Sequence, residues 1–94
     1  MATARFKGTV IAQSDETQTV EGNPYFPPDS LKREFFKDSA KTTVCGWKGT
    51  ANYYDVTVDG ETAAAAAWYY AEPKRAAANI AGFVAFWGDI VVEP

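Results

Sequence analysis

The chain has 94 residues, a length that predicts one domain and excludes a two-domain enzyme. It is 47% apolar and 22% charged, with six Phe, five Tyr and three Trp but no His, so it should fold around aromatic side chains without any His-dependent catalysis or metal ligation. The formal charge of −3 argues against a dedicated nucleic-acid binder, because neutralising phosphates takes a surplus of Lys and Arg.

Residues 6–13 alternate as a half-buried strand with Phe6, Val10 and Ala12 on one face. Ser14-Asp15-Glu16 reads as the turn after it, and residues 17–21 as an antiparallel return strand that Gly22-Asn23-Pro24 ends. Pro27-Pro28-Asp29-Ser30 then predicts a helix start, with Asp29 or Ser30 as cap and Leu31 and Phe35 on one stripe of a short helix reaching Phe36. Residues 38–41 read as a polar connection.

Residues 50–58 form the clearest strand, with Tyr54, Val56 and Val58 inward, and Asp59-Gly60 is a dipeptide favoured where both turn residues need positive φ. The partner begins at Glu61 but meets five consecutive alanines, residues 63–67, which by propensity prefer helix. Only a short strand is expected there, followed by extended chain at Trp68-Tyr69-Tyr70. Residues 73–78 predict one or two helical turns. Residues 80–87, apolar on both faces, predict a central strand covered on both sides, and Gly88-Asp89 turns the chain into a last strand at residues 90–92. The fold class is mainly β (β-rich α+β): a small antiparallel barrel or two packed sheets, with one or two short helices.

The lone Cys45 cannot close an intrachain disulfide or complete a paired-Cys zinc site, and a reducing cytoplasm is the expected compartment. Residues 1–8 hold no apolar stretch of signal-peptide length, and the longest apolar run, residues 63–71, is too short to cross a bilayer, so no membrane partner is expected. No motif calls for a cofactor, and no residues have metal-ligand spacing. Charge is unevenly spread: residues 31–50 hold Lys32, Arg33, Lys37, Lys41 and Lys48 against Glu34 and Asp38, while the rest of the chain is strongly acidic. This segment is either a positive patch or a solvated, lysine-dotted surface.

Four runs resemble, in order and spacing, the domain of unknown function 427 family. They are Val20-Glu21-Gly22-Asn23-Pro24-Tyr25-Phe26-Pro27-Pro28, Cys45-Gly46-Trp47-Lys48-Gly49-Thr50-Ala51-Asn52-Tyr53-Tyr54, Ala66-Ala67-Trp68-Tyr69-Tyr70 continuing to Pro73-Lys74, and Gly82-Phe83-Val84-Ala85-Phe86-Trp87. The resemblance implies a small, strand-rich, usually stand-alone bacterial domain, sometimes labelled nucleotidyltransferase-like. Family members often carry proline after the motif cysteine and histidine shortly before it. Here Gly46 follows Cys45, and Thr42, Thr43 and Val44 precede it, so no mechanism needing that histidine transfers. Nucleotidyl transfer needs carboxylates that jointly hold magnesium. Asp55 and Asp59, four extended residues apart, would lie roughly 13 Å from each other, and no Gly-rich phosphate motif occurs.

Two stretches remain as candidate sites. At Cys45-Gly46-Trp47-Lys48-Gly49 an adjacent ammonium, Lys48 or Lys41, would favour a nucleophilic thiolate, and flanking glycines would let amides approach an anion. Otherwise Cys45 is a small buried hydrophobe and the glycines serve a turn. At residues 20–28, Asn23 and Tyr25 offer polar contacts on a proline-bounded turn, and Glu21 is the one carboxylate suited to a general base. Trp47, Trp68 and Trp87 are either core residues or ligand platforms. Three functions follow. The first is a binding module for a small anionic or nucleotide-like ligand, held by Asn23, Tyr25, Trp47, Lys48 and Trp68. The second is an enzyme using Cys45 as nucleophile or redox group, with Glu21 as a candidate base. The third is a homodimeric interaction domain.

Overall fold

Two-residue turns in which both residues have positive φ organise the chain, because they match the right-handed twist of the strands they join. In the computed structural model, which describes residues 1–94, Lys7-Gly8, Glu21-Gly22 and Asp59-Gly60 all take this form. They join β1 (Ala2–Phe6) to β2 (Thr9–Ser14), β3 (Gln18–Val20) to β4 (Asn23–Tyr25), and, after β5 (Phe36–Cys45), β6 (Gly49–Val58) to β7 (Glu61–Tyr69). Strands β8 (Val84–Phe86) and β9 (Val91–Glu93) complete the set. All pairings between these strands are antiparallel, in sheets of order β2-β1-β9, β3-β4 and β5-β6-β7-β8. The fold is mainly β, with packed open sheets rather than a closed barrel.

The expected first hairpin is corrected. Its turn is Lys7-Gly8 rather than Ser14-Asp15-Glu16, and Gln18–Val20 pairs forward with Asn23–Tyr25 instead of returning on the first strand. A register shift beside Ala4 leaves Ile11 as the extra residue, so Ile11 and Ala12 are both fully buried while Val10 is only partly so.

The expected helix reaching Phe36 is also corrected. Two separate 3-10 turns, Pro28–Ser30 and Arg33–Phe35, flank Leu31. Leu31 bridges to Ala12, and the Lys32 N–H donates to the Ile11 carbonyl over 2.8 Å, so pairing with β2 takes the backbone a helix would need. The Ser30 hydroxyl donates to Pro27 O over 2.7 Å and neither turn has a side-chain cap. The polar connection expected at residues 38–41 lies within β5, whose ladder shifts register between Asp38 and Thr42. β5 pairs only with β6, and its polar sequence is that of an exposed edge strand.

The alanine run is a full strand. β7 is hydrogen-bonded to β6 on one side and β8 on the other, and Ala63, Ala66 and Ala67 are buried in the main core. Paired edges and packing therefore override the helical preference of alanine. Residues 80–87 shorten to Val84–Phe86, all three buried as expected of a covered strand, because Ile80 ends a 3-10 segment at Arg75–Ile80 and Gly82 turns with φ 76°.

Period-two alternation sends the rings of the large sheet to both sides. On one side Tyr54, Val56, Ala67, Val84 and Phe86 meet Phe6, Ile11, Phe26 and Leu31 in the main core, where Tyr54 stacks on Tyr69 with centroids 4.7 Å apart. On the other, Ala51, Tyr70 and Ala85 join Tyr25, Ala77 and Ile80 in a smaller cluster, with Tyr53, Trp68 and Cys45 against it. No helix is long and apolar enough to cross a membrane.

Candidate functional site

Above the smaller cluster lies a hollow of about 310 Å³ lined by Glu21, Asn23, Tyr25, Lys41, Lys48, Tyr53, Trp68, Tyr70 and Trp87. Its aromatic wall follows from strand register. Tyr53 pairs with Trp68, and Trp68 with Ala85. Stepping two residues along β7 and β8 brings Tyr70 and Trp87 to the same side.

The Glu21-Gly22 turn faces this sheet. From it the Glu21 carboxylate accepts a hydrogen bond from Lys48 Nζ. Lys48 is 6% exposed, while the Glu21 side chain remains half exposed. The Lys48 ammonium also lies 4.9 Å from the Trp47 ring and 5.8 Å from that of Tyr70, distances at which the π faces favour a cation. Burial works against its charge, but the Glu21 carboxylate, helped by the Tyr70, Tyr25 and Cys45 groups, outweighs that and holds Lys48 above the ordinary lysine value. The same hydrogen bond holds the Glu21 carboxyl below its usual range. Such a carboxylate is a poor proton acceptor at neutral pH, which weighs against the general-base role considered for Glu21.

The turn carrying Lys48 is pinned from the opposite side. Lys74 donates from its backbone N–H to Lys48 O over 2.9 Å and from Nζ to Gly46 O over 2.8 Å. Gly49 sits at φ 112°, a conformation side-chain-bearing residues rarely adopt.

Lys41 occupies the rim. Its Nζ lies 4.9 Å from the Tyr53 ring and 5.5 Å from that of Trp87, and no carboxylate pairs with it. Tyr25 and Trp68 meet edge to face at 6.1 Å, and Trp68 Nε1 donates to the Tyr25 hydroxyl over 3.1 Å. Burial pushes the Tyr25 and Tyr70 phenols upward, so both keep their protons at neutral pH and can donate to a ligand.

Of the residues singled out from sequence, Glu21, Asn23, Tyr25, Lys48 and Trp68 come together around the hollow. Trp47 does not line it: the ring lies beside Lys48 and is 41% exposed. Cys45 lies outside the wall as well, partly buried against the cluster beneath. Its thiol is held below the usual value first by the backbone N–H groups of Lys48 and Trp47, then by the Lys48 charge. Trp87, weighed as core residue or ligand platform, also lines the hollow, whereas Tyr53, Tyr70 and the pocket position of Lys41 do not follow from the sequence reading. The two-residue spacing of Lys41, Thr43 and Cys45 on β5 and of Ala51 and Tyr53 on β6 is the available signal, but the polar composition of residues 38–41 hides the strand. Asp55, considered above for metal binding, accepts the Ala65 N–H over 2.7 Å and so serves the backbone.

The model of the family described as Domain of unknown function (DUF427) matches residues 1–93. The chain belongs to this family. The match spans every strand of the fold and therefore the whole wall of the hollow. No curated protein matches the chain.

Proposed function

We propose that this DUF427 domain is a binding module for a small ligand that joins a negative charge to a flat or apolar body. The observation that carries this reading is the union, in one hollow, of five aromatic rings with an ammonium at the rim that no carboxylate neutralises. Rings supply area and orientation, the Tyr25 and Tyr70 hydroxyls and the Asn23 amide supply polar contacts, and Lys41 supplies charge. A volume of about 310 Å³ lies at the lower end of small-molecule sites and limits the ligand to about the size of a mononucleotide.

Titration with benzoate, phenyl phosphate and adenosine monophosphate, followed by the indole N–H signals in NMR, tests this. Saturable shifts of the Trp68 and Trp87 signals with at least one anion, absent with neutral benzamide and weakened by Lys41→Gln, are expected. If no anion moves those signals, the proposal is wrong.

A second reading has one observation in its favour. The Cys45 thiol, lowered by two backbone N–H groups and the Lys48 charge, is suited to nucleophilic or redox chemistry. Its position outside the wall of the hollow places binding first.

A further inference from the structure

The hollow contains three charged side chains, and they are not equivalent. Lys48 lies at the closed end, 6% exposed, its ammonium covered by the Glu21 carboxylate and flanked by the rings of Trp47 and Tyr70. An incoming anion reaches Lys48 only by displacing Glu21 or by sharing the ammonium with it. Lys41 stands at the open end with neither obstacle. Glu21 itself remains half exposed and lines the space the ligand would enter.

We infer that Glu21 sets the charge specificity of the site: by occupying Lys48 from within the chain, it leaves one free cation, Lys41, and so selects ring-bearing monoanions such as aromatic carboxylates over dianions such as phosphate monoesters. This rests on the binding reading above and narrows its ligand class. One negative charge is matched by Lys41. A second has no available cation and must approach the Glu21 carboxylate, which repels it as a like charge. Once the Glu21 charge is removed, Lys48 becomes an anion-binding donor at the closed end and can take the second charge. Specificity of this kind comes from a built-in repulsive element as much as from the attractive one.

The test uses a pair of ligands with the same ring. At pH 8 benzoate carries one negative charge and phenyl phosphate close to two, since the second phosphate ionisation lies near pH 6. Affinities are measured by calorimetry for the wild type, Glu21→Gln and Glu21→Asn. The asparagine variant is included because Glu21 has φ 54°, a conformation asparagine tolerates well. The wild type should bind benzoate at least as tightly as phenyl phosphate. Either neutral variant should bind phenyl phosphate roughly tenfold more tightly than the wild type does, the scale of one charge-assisted hydrogen bond, with a much smaller change for benzoate.

An unchanged benzoate-to-phosphate ratio in a folded variant, or a wild type that already prefers phenyl phosphate, overturns the inference while leaving the binding module intact. Failure of the wild type and both variants to bind either compound overturns this inference, and overturns the binding reading with it when adenosine monophosphate fails to bind as well.

Discussion

The Trp87 indole N–H donates to the Ala65 carbonyl over 2.7 Å, so a distortion in β7 fixes one wall of the hollow. Ala65 has φ 50°, and the β6-β7 ladder passes from the Tyr54-Ala67 pair to the Val56-Ala63 pair, leaving three residues of β7 opposite Asp55. The Asp55 carboxylate takes the Ala65 N–H that this bulge frees. Trp87 in turn lies against Lys41. Asp55, Ala65, Trp87 and Lys41 thus form a chain of contacts from the strand distortion to the rim of the site.

Removing the carboxylate should loosen that chain. Asp55→Ala is expected to cost about 1–3 kcal/mol in denaturant unfolding, the usual loss when a partly buried N–H loses a charged acceptor, and to move the Trp87 indole N–H signal in NMR. Ala65→Gly, which removes the steric cost of a positive φ, should stabilise by up to about 1 kcal/mol. An Asp55→Ala protein as stable as the wild type would mean that the bulge is held by other contacts.

The Glu21-Lys48 pair makes stability depend on pH in a defined sense. Glu21 is lowered in the folded state, so its contribution is present above the ordinary carboxylate value and disappears as pH falls through the lowered one. Lys48 is raised, so its contribution is complete below the ordinary lysine value and disappears as pH climbs through the raised one. Between those limits the wild type should be more stable than Glu21→Gln, with the difference vanishing in acid. Parallel stability curves from neutral to acidic pH would show that the pair contributes nothing.

Cys45 should alkylate as a partly accessible thiolate. Its lowered value predicts that the iodoacetamide rate of the folded protein reaches half its plateau below the pH required by a free cysteine. Lys48→Met should move that midpoint upward only in part, because the backbone N–H groups of Trp47 and Lys48, which contribute most, remain. A thiol that reacts only after unfolding would remove the second functional reading.

Tyr25→Phe deletes the acceptor of the Trp68 indole N–H. Tyr25 is 1% exposed and the ring can stay in place, so the expected cost is about 1 kcal/mol, the net value of one hydrogen bond. Trp68 emission should shift, and affinity for a ring-bearing anion should fall as the hollow loses a donor. An unaltered emission spectrum would place the Tyr25 hydroxyl outside the working site.

Local chemistry determined much of this protein. β-branched and aromatic residues in short runs specify strands, and the Asp59-Gly60 turn was legible because its conformation depends on the two residues themselves. The Lys7-Gly8 and Glu21-Gly22 turns follow the same rule but lack the Asn or Asp that usually announces it. Candidate residues on turns, Glu21 and Lys48, and Asn23 at the start of β4 could be singled out because a polar group beside glycine or proline has few purely structural uses.

Only the tertiary structure decided the rest. Five alanines become strand because β6 pairs with both ends of the run, β8 pairs from Ala67 onward, and Ala63, Ala66 and Ala67 are buried in the main core, an energy that no local propensity contains. The polar residues of β5 pair because β6 supplies the ladder. Tyr53, Trp68, Tyr70 and Trp87 share a wall because three strands align in one register, and register depends on bulges and on which face is buried. A shift of one residue in any of those strands would send its ring to the opposite core, so the site exists only once the whole sheet has formed.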